Sequence, residues 1–490
     1  MSVESAAGLN EEASLRAKMN SGFLWKLASQ IVDQGGRTVM AVVLARALTP
    51  TEYGLAGMAF IFAGIALIFT DLSLGSALVQ RVAITERDRS TVFWTTTAGG
   101  VVIAAVSFAV APAIGRFFSE PEVTSLFRVL ALTFVLTALS ATQAALLTRD
   151  LAFRGLELRE ITGGLARIVT AITMAALGFG AWSIVGGAVA AAVVSLIMLW
   201  TASPWRPSLT FSMASLRDLG SYGIKAFLSR LFTYATDNAD NLIVGRYLGP
   251  PALGIYTLAY NAMVSPLGRI VAPVSQVLFP ALSRIQTDTD RVVTTWLRTT
   301  AATAAIMFPA FAGIIIVAPD LVPVVFGDQW HEAIPVLQLL CIGGLAITLQ
   351  GLNLSILQSQ NRPGTFLWFN VLCSIASIAG FVVGVLWGVV GVAASVAIVR
   401  VALLPLNTWL SCRVVGVTLR RYVRTFRRIT EATLVMAAGV AAVRYALLNA
   451  GSTPAVRLVL EIAVGAAIYT AMVLVREPAL IARVRQLRSA

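Results

Sequence analysis

The chain has 490 residues, of which 57% are hydrophobic and only 12% are charged, and its formal net charge is +13. About a quarter of the residues of an average soluble domain are charged, so this composition excludes a soluble protein and indicates an integral membrane protein. The positive charge does not indicate nucleic-acid binding, because the arginines gather in the loops between apolar segments. The three cysteines and the single histidine form no pattern typical of a disulfide framework or a metal site.

Fourteen apolar segments are long enough to cross a bilayer, since a spanning helix needs about 20 residues. In chain order, they are predicted at 23–46, 54–79, 91–112, 123–147, 159–178, 181–202, 219–246, 252–279, 294–317, 332–358, 364–386, 388–411, 429–448 and 456–475. Arginines follow the even-numbered segments and occupy both tails, so both termini are predicted to be cytoplasmic. The sequence thus predicts an all-α polytopic membrane protein without a separate soluble domain.

An internal repeat relates two parts of the chain at an offset of 200 residues. The stretch "ARALTPTEYGLAGMAF" at 45–60 aligns with "GRYLGPPALGIYTLAY" at 245–260. Each copy joins two helices through a proline turn and has a glycine where the second helix opens. Six predicted spans lie between the copies, so the two parts have the same orientation, which is a parallel repeat.

The repeat predicts two pseudo-symmetric six-helix lobes followed by two further helices. The chain is predicted to consist of an N-terminal segment (1–22), a first lobe (23–203), a linker (204–218), a second lobe (219–411), a second linker (412–428), two final helices (429–475) and a C-terminal tail (476–490). The first and last of these are cytoplasmic segments, and 412–428 is a basic cytoplasmic linker. Transporters built from such repeats place their site near the membrane midplane between the repeats, so we expect a polar cavity between the lobes.

A polar stripe marks the first predicted helix. Lys26, Gln30, Asp33 and Arg37 are spaced i, i+4, i+7 and i+11, which places them within about 60° on one helical face. A charged residue at the centre of a membrane helix costs roughly 2.5–3.5 kcal/mol, so it needs a partner or water. The stripe is therefore expected to face a neighbouring helix or an aqueous cavity.

The seventh predicted helix carries a second stripe. Arg230, Asp237, Asp240 and Asn241 lie within about 100° of one another, and Lys225 lies further round the helix. At the repeat offset, Asp237 corresponds to the arginine of the first stripe, and we expect the two to approach each other or share water. Static hydrogen bonding between packed helices is the alternative interpretation of both stripes.

Two charged residues on other spans are further candidates. Arg269, in "SPLGRIVAPVSQ", lies mid-span, where its side chain cannot reach a headgroup region, so it is a cavity candidate. Asp71 lies late in the second span, and its role in helix packing or in function is left open. The predicted cavity has more cationic side chains than a neutral substrate needs. This excess favours an anionic substrate, such as a phosphate or pyrophosphate.

Four stretches carry a family resemblance: "ARALTPTEYG", "TDLSLGSALVQR", "VLFPALSRIQTDTDR" and "VVFGDQWHEAIPVLQLL". They resemble the signature stretches of bacterial Wzx-type polysaccharide flippases, and most closely the branch of colanic-acid-like and succinoglycan-like exporters. That family belongs to the multidrug/oligosaccharidyl-lipid/polysaccharide (MOP) exporter superfamily. The resemblance covers about residues 20–415, whereas the last two spans match only in general character.

The resemblance implies a V-shaped, alternating-access transporter of the bacterial inner membrane. It would move an undecaprenyl-pyrophosphate-linked oligosaccharide from the cytoplasmic to the periplasmic leaflet, among membrane lipids, with a polysaccharide polymerase and a chain-length co-polymerase as candidate partners. An arginine on the first helix binds the diphosphate in related flippases, and Arg37 is the matching position here. The resemblance implies no enzymatic activity and no cofactor, with H⁺ or Na⁺ coupling left open.

On the hypothesis that the protein is such a transporter, two groups of residues have expected roles. The cations predicted to bind pyrophosphate are Lys26, Arg37, Lys225, Arg230 and Arg269. The residues predicted to pair with them, to gate or to bind a coupling ion are Asp33, Asp71, Asp237, Asp240 and Asn241.

Three other functions predict different sequence features. A multidrug exporter of the same superfamily predicts an acidic cavity for cationic drugs, whereas this one is expected to be basic. A membrane polymerase or glycosyltransferase predicts catalytic groups on a sizeable extramembrane loop, and the loops here are short and basic. A scaffold or receptor leaves the two polar stripes unexplained.

Overall fold

The computed structural model describes residues 30, 34–70, 74–81, 83–213, 216 and 223–476, with the side chains of 223–226, 228, 229 and 476 excepted. These residues form helices joined by turns and short connections, and none of them lies in a β-strand. The all-α fold predicted from hydropathy is confirmed. The chain forms two compact units, Met1–Gly254 and Ile255–Ala490.

Nine helices, α1 to α9, begin within the first unit as far as the structure describes it. In order, they span residues 34–47, Pro50–Thr70, Leu74–Gln80, Glu86–Phe118, Pro121–Arg149, Phe153–Ala176, Trp182–Ala202, Gly223–Asp237 and Ala239–Pro266. The seventh predicted span, 219–246, is interrupted at Asn238, whose side-chain amide donates to the Tyr234 carbonyl oxygen at 2.9 Å. Asparagine side chains compete in this way with the helical backbone ladder.

The second unit continues from a π-helical turn at Leu267–Val271. Seven helices follow, α10 to α16, spanning Ala272–Arg284, Thr289–Val325, Ala333–Ser359, Pro363–Gly384, Gly388–Val414, Leu419–Asn449 and Pro454–Arg476. The helix α15 begins at Leu419, ten residues before the predicted span at 429. Thr418 caps it by accepting a hydrogen bond from the Arg421 amide at 3.3 Å, and the arginines that follow lower hydropathy without opposing helix formation.

Ten helical stretches of the described residues are long and apolar enough to cross a membrane. Two of these, Ala239–Arg284 and Pro363–Val414, contain 46 and 52 residues, although about 20 suffice for one crossing. The longer stretch turns at Val385–Trp387 and at Gly388, where φ is 73°, so α13 and α14 are separate helices. The protein is therefore a multi-pass membrane protein, while the number of fourteen spans and the predicted lobe boundaries stay predictions.

The two copies of the sequence repeat have the same local structure. In the first copy, Pro50 opens α2 behind a capping box in which the Thr49 amide donates to Glu52 Oε2 at 2.7 Å and the Glu52 amide donates to Thr49 Oγ1 at 3.3 Å. In the second copy, Gly249 at φ 81° breaks α9 and Pro250 restarts it. Proline suits the first turn of a helix because it has no amide hydrogen to leave unpaired. The proline turn predicted from the repeat is present in both copies.

Candidate functional site

A cavity of about 560 Å³ lies in the first unit, lined by residues of α2, α3, α4 and α5 and by one arginine of α8. Small side chains of α3 and α5 leave the space open, among them Gly75, Ala141 and Ala144. The polar groups of the wall are the side chains of Thr70, Ser76, Thr96, Thr137, Thr148 and Arg230. The cavity thus combines five hydroxyl groups and one guanidinium with a larger apolar surface, formed in part by Leu67, Ile68, Leu74 and Val79.

Three of the threonine hydroxyls are oriented by their own helices. Thr70, Thr96 and Thr148 donate to the carbonyl oxygens four residues earlier, at 3.1, 2.9 and 2.7 Å. A hydroxyl that has donated its hydrogen retains lone pairs that accept. The guanidinium is the opposite case, because it carries five donors and no acceptor. The wall can therefore accept hydrogen bonds from hydroxyl groups of a ligand while its arginine binds an anionic group.

The helix α8 is held against α2 by the residues on either side of its arginine. The Phe227 ring lies 4.8 Å from the Phe69 ring, edge to face. One helical turn beyond Arg230, the Tyr234 hydroxyl donates to the Ile61 carbonyl oxygen at 3.0 Å. Because positions 227, 230 and 234 fall on one helical face, these two contacts position the guanidinium at the cavity.

A glycine makes this close approach possible. A β-carbon on Gly64 would overlap the Tyr234 hydroxyl and ring, so a larger residue at position 64 would displace the side chain that holds α8 against α2. Glycine is commonly found where another group approaches the backbone this closely. The position of the cavity arginine therefore depends on a residue of α2 that lies about one turn before the cavity wall begins at Leu67.

A buried polar cluster follows where α8 meets α9. Asp240 is only 4% exposed, and its Oδ1 accepts from the Asn241 amide at 2.7 Å. The side-chain oxygen of Asn241 is buried and accepts no hydrogen bond from any described residue. A buried polar atom in that condition needs an explanation such as a bound water or ligand. The cluster therefore retains the capacity to bind a water or a small ligand.

The described members of the two predicted groups differ in their exposure and in the helices that carry them. Arg37 is exposed on α1, Asp237 is exposed at the end of α8, and Arg269 is exposed within the π-helical turn of the second unit. The predicted approach of Arg37 and Asp237 stays a prediction. Of the described predicted residues, Arg230 is the one that lines the cavity of the first unit.

Four of the predicted residues are not assigned a position. Lys26, Asp33 and Asp71 lie outside the described residues, as does the side chain of Lys225. Their roles stay predictions from the sequence.

Solved structures share this fold. The lipid II flippase MurJ in an inward closed conformation superimposes with a TM-score of 0.73 over 94% of this chain and 99% of its own, at 14% identity. An inward-facing multidrug resistance MATE family transporter of the MOP superfamily superimposes with a TM-score of 0.63 over 77% of this chain and 94% of its own, at 16% identity. At these identities the likeness shows only that this chain shares the fold of these two proteins.

The sequence matches one protein family over more than half of its length. The profile of a family described as "Polysaccharide biosynthesis protein" matches residues 43–335. The chain belongs to this polysaccharide biosynthesis family. The resemblance to polysaccharide flippases predicted from the four sequence stretches is confirmed at this level.

Curated relatives match this chain over most of its length. The lipopolysaccharide biosynthesis protein WzxC of Escherichia coli K12 is 28% identical over 84% of each chain. The teichuronic acid biosynthesis protein TuaB of Bacillus subtilis 168 is 27% identical over 93% of this chain and 95% of its own. The succinoglycan biosynthesis transport protein ExoT of Rhizobium meliloti 1021 is 25% identical over 94% of this chain and 93% of its own.

Sequence reasoning missed the hydroxyl groups of the cavity. Thr70 and Thr96 belong to helices that were predicted as spans, but threonine is common in membrane helices, where its hydroxyl bonds its own backbone. The position of a threonine in the sequence does not show that it faces a cavity, because the other walls of the cavity come from separate helices. Only the arginine, an expensive residue inside a membrane, marked this site in the sequence.

The sequence also carries no sign of a buried ionic network in the second unit. Asp320 of α11 is 1% exposed and pairs with Arg444 of α15 and, at 2.6 Å, with Arg457 of α16. Arg444 also lies 3.2 Å from Glu461, which is fully buried. Two carboxylates and two guanidiniums balance one another. The network joins the final two helices to α11, a role the sequence left open for them.

Proposed function

We propose that this protein is a flippase that carries an undecaprenyl-pyrophosphate-linked oligosaccharide repeat unit from the cytoplasmic to the periplasmic leaflet of a bacterial inner membrane. The observation that carries the proposal is the cavity of the first unit, in which Arg230 lies among five hydroxyl groups. Membership of the polysaccharide biosynthesis family supports a glycan substrate. The relative named a succinoglycan biosynthesis transport protein and the fold neighbour named a lipid II flippase support transport of a lipid-linked one.

The chemistry of the cavity fits such a substrate in two parts. A pyrophosphate accepts charge-assisted hydrogen bonds, and a guanidinium supplies them in a planar, bidentate form. Sugar hydroxyls can donate to the oxygen atoms of Thr70, Thr96 and Thr148, whose own hydrogens are already engaged. The apolar part of the wall, which includes Leu67, Ile68, Leu74 and Val79, can contact the nonpolar faces of the sugars. We propose that the isoprenoid chain stays in the bilayer.

Transport requires that the substrate discriminate between two states of the protein. A ligand shifts an equilibrium only by the difference between its affinities for the two states. On this proposal, Arg37 and Arg230 bind the pyrophosphate in the state open to the cytoplasm, and Asp237 and Asp240 compensate the cations when the cavity is empty. An H⁺ or Na⁺ bound at the acidic residues is the proposed means of coupling. Both termini are proposed to be cytoplasmic, as the arginine distribution predicts.

A multidrug exporter shares the fold but fits the cavity less well. A cationic drug needs a carboxylate or an aromatic cage, whereas the charged group among the residues that line this cavity is Arg230. The guanidinium would repel such a ligand.

A membrane enzyme is not favoured by any arrangement in the described residues. The sequence contains an Asp-Thr-Asp stretch at 288–290, of a kind that can hold a metal–nucleotide complex in glycosyl transfer. Asp288 is instead the N-cap of α11 and accepts from the Arg291 amide at 3.1 Å. This role is structural, and we propose that the protein is not an enzyme.

Deletion of the gene, followed by analysis of the lipid-linked intermediates, tests the proposal. A flippase predicts that complete repeat units accumulate on the lipid carrier while polymer disappears. An enzyme of repeat-unit assembly predicts truncated or absent repeat units, and that result would contradict the proposal. Complementation with the wild-type gene controls for effects on neighbouring genes.

A further inference from the structure

A larger cleft, of about 1010 Å³, lies in the second unit beside the first turns of α15. One wall is apolar and is formed by Phe308 of α11, Leu349 of α12 and Leu404 and Pro405 of α14. The other wall is the start of α15, whose basic residues on this side are Arg420, Arg424 and Arg427. Their spacing of i, i+4 and i+7 puts the three guanidiniums on one helical face.

The basic wall is fixed in place by a buried polar network and by ring contacts. The Tyr422 hydroxyl donates to Asn353 Oδ1 at 2.9 Å, and the Asn353 side-chain amide donates to Thr408 Oγ1 at 3.3 Å. The Tyr422 ring also lies 5.2 Å from the Trp296 ring and 4.9 Å from the Phe426 ring. These contacts tie α15 to α11, α12 and α14, so the cleft is a built feature of the fold.

The charge along the basic wall is only partly neutralised. Arg427 pairs with Glu431 through Nε and Oε1 at 2.8 Å. Neither Arg420 nor Arg424 forms a side-chain hydrogen bond or an ion pair with another described residue. The cleft therefore presents two exposed guanidiniums opposite its apolar wall.

This combination restricts the chemistry of an occupant. A free anion would pair with the arginines but leave the apolar wall in contact with water. An uncharged lipid would cover the apolar wall but leave the arginines unpaired. A phosphate group attached to a hydrocarbon chain satisfies both surfaces. Basic clusters beside membrane helices on the cytoplasmic side recognise anionic lipids by this chemistry, and α15 begins on the side predicted to be cytoplasmic.

We propose that the cleft binds a resident anionic phospholipid, with its phosphate between Arg420 and Arg424 and one acyl chain against Phe308, Leu349 and Leu404. This site lies in the second unit and is separate from the hydroxyl-lined cavity of the first. It does not depend on the proposed transport function. The bound lipid would complete the packing between α15 and the rest of its unit.

Native mass spectrometry of the full-length protein in detergent tests the site. The protein is titrated with phosphatidylglycerol or with phosphatidylcholine of the same acyl chains, and the bound lipid is counted. The proposal predicts one high-affinity phosphatidylglycerol and at least about tenfold weaker phosphatidylcholine, since each arginine contributes about 1 kcal/mol to an anionic lipid.

Matched variants separate this site from general surface charge. The pair Arg420→Gln/Arg424→Gln is expected to weaken phosphatidylglycerol binding by about tenfold or more. The pair Arg421→Gln/Arg428→Gln removes the same charge from arginines of α15 that do not line the cleft, and it is expected to retain the lipid. Equal losses in the two pairs, or none in the first, would overturn the proposal. Leu404→Trp, which fills the apolar side, is expected to weaken binding without any change in charge.

Two competitors identify the source of the phosphate. Inorganic phosphate at millimolar concentration is expected not to displace the lipid, and displacement would show that the site binds a free anion. Undecaprenyl pyrophosphate at equimolar amount is expected not to displace it either. Displacement by that carrier would assign the cleft to the transported lipid and overturn its assignment to a resident phospholipid.

Discussion

Gly54 of α2 packs directly against the backbone of Pro250 in α9, so closely that a β-carbon on Gly54 would overlap the Pro250 carbonyl oxygen. The same contact is made in reverse, because a β-carbon on Gly254 would overlap the carbonyl oxygen of Pro50. The four residues are related in pairs by the repeat offset of 200. The two copies of the repeat thus meet through a reciprocal contact in which each glycine accepts the proline turn of the other copy.

Alanine at either glycine is expected to destabilise this contact. Overpacking a close backbone approach costs typically 1–3 kcal/mol, because one helix must move. We expect Gly54→Ala and Gly254→Ala each to lower the apparent unfolding temperature of the purified protein. Gly313→Ala in α11 is the control, since nothing lies within 4 Å of a β-carbon there. Equal unfolding temperatures for all three variants would contradict a close contact between the glycines and the proline turns.

The side chain of Tyr234 is expected to hold α8, and with it Arg230, in place. Tyr234→Phe removes one hydrogen bond to the Ile61 carbonyl, worth about 1 kcal/mol, and should reduce polymer export only slightly. Tyr234→Ala removes the ring and should reduce export strongly at an unchanged amount of protein in the membrane. Polymer yield in a deletion strain measures both effects, and full export by Tyr234→Ala would contradict this role.

The network around Asp320 is expected to stabilise the second unit. Removing one partner of a buried ion pair leaves an uncompensated charge and costs about 3–5 kcal/mol. Asp320→Asn should therefore lower the unfolding temperature substantially, and Asp320→Asn/Arg444→Gln should lower it less, because charge balance is restored. Glu160→Gln in α6 is the control, since Glu160 belongs to a more exposed pair with Arg159 and exposed pairs contribute about 0–1 kcal/mol.

The sequence predicts the elements of this fold better than it predicts their partners. Apolar length identifies the membrane helices, and the proline and glycine of the repeat predict the two turns at Pro50 and Pro250. The start of α15 at Leu419 escaped prediction because hydropathy falls where arginines cluster, although arginine is a good helix former. A helix boundary set by a cap is not visible to a hydropathy criterion.

The sites show a sharper division between sequence and structure. Arg230 was predicted because an arginine inside a span is rare enough to stand out. The threonines around it carry no such signal, since their helices come together only in the folded chain. Asp320 and Arg444 lie 124 positions apart, and a single sequence contains nothing that pairs two charges at that separation.

On the proposed function, Arg230 binds the pyrophosphate of a lipid-linked glycan during transport. Loss of a charge-assisted hydrogen bond costs about 1.5–3 kcal/mol, or roughly a tenfold to hundredfold loss of affinity. Arg230→Lys retains the charge without the bidentate geometry and is expected to fall between wild type and Arg230→Ala. Arg128→Ala is the control, because Arg128 is an α5 arginine that stacks over the Phe108 ring at 4.6 Å and does not line the cavity.

The most direct measurement is the leaflet distribution of complete lipid-linked repeat units in a deletion strain that lacks the polymerase and carries each variant. The distribution is read with a membrane-impermeant oxidant of sugar diols applied from the periplasmic side. Repeat units accessible from the periplasm are expected with wild type and Arg128→Ala, and repeat units retained in the cytoplasmic leaflet are expected with Arg230→Ala. Full periplasmic accessibility with Arg230→Ala at normal expression would contradict it.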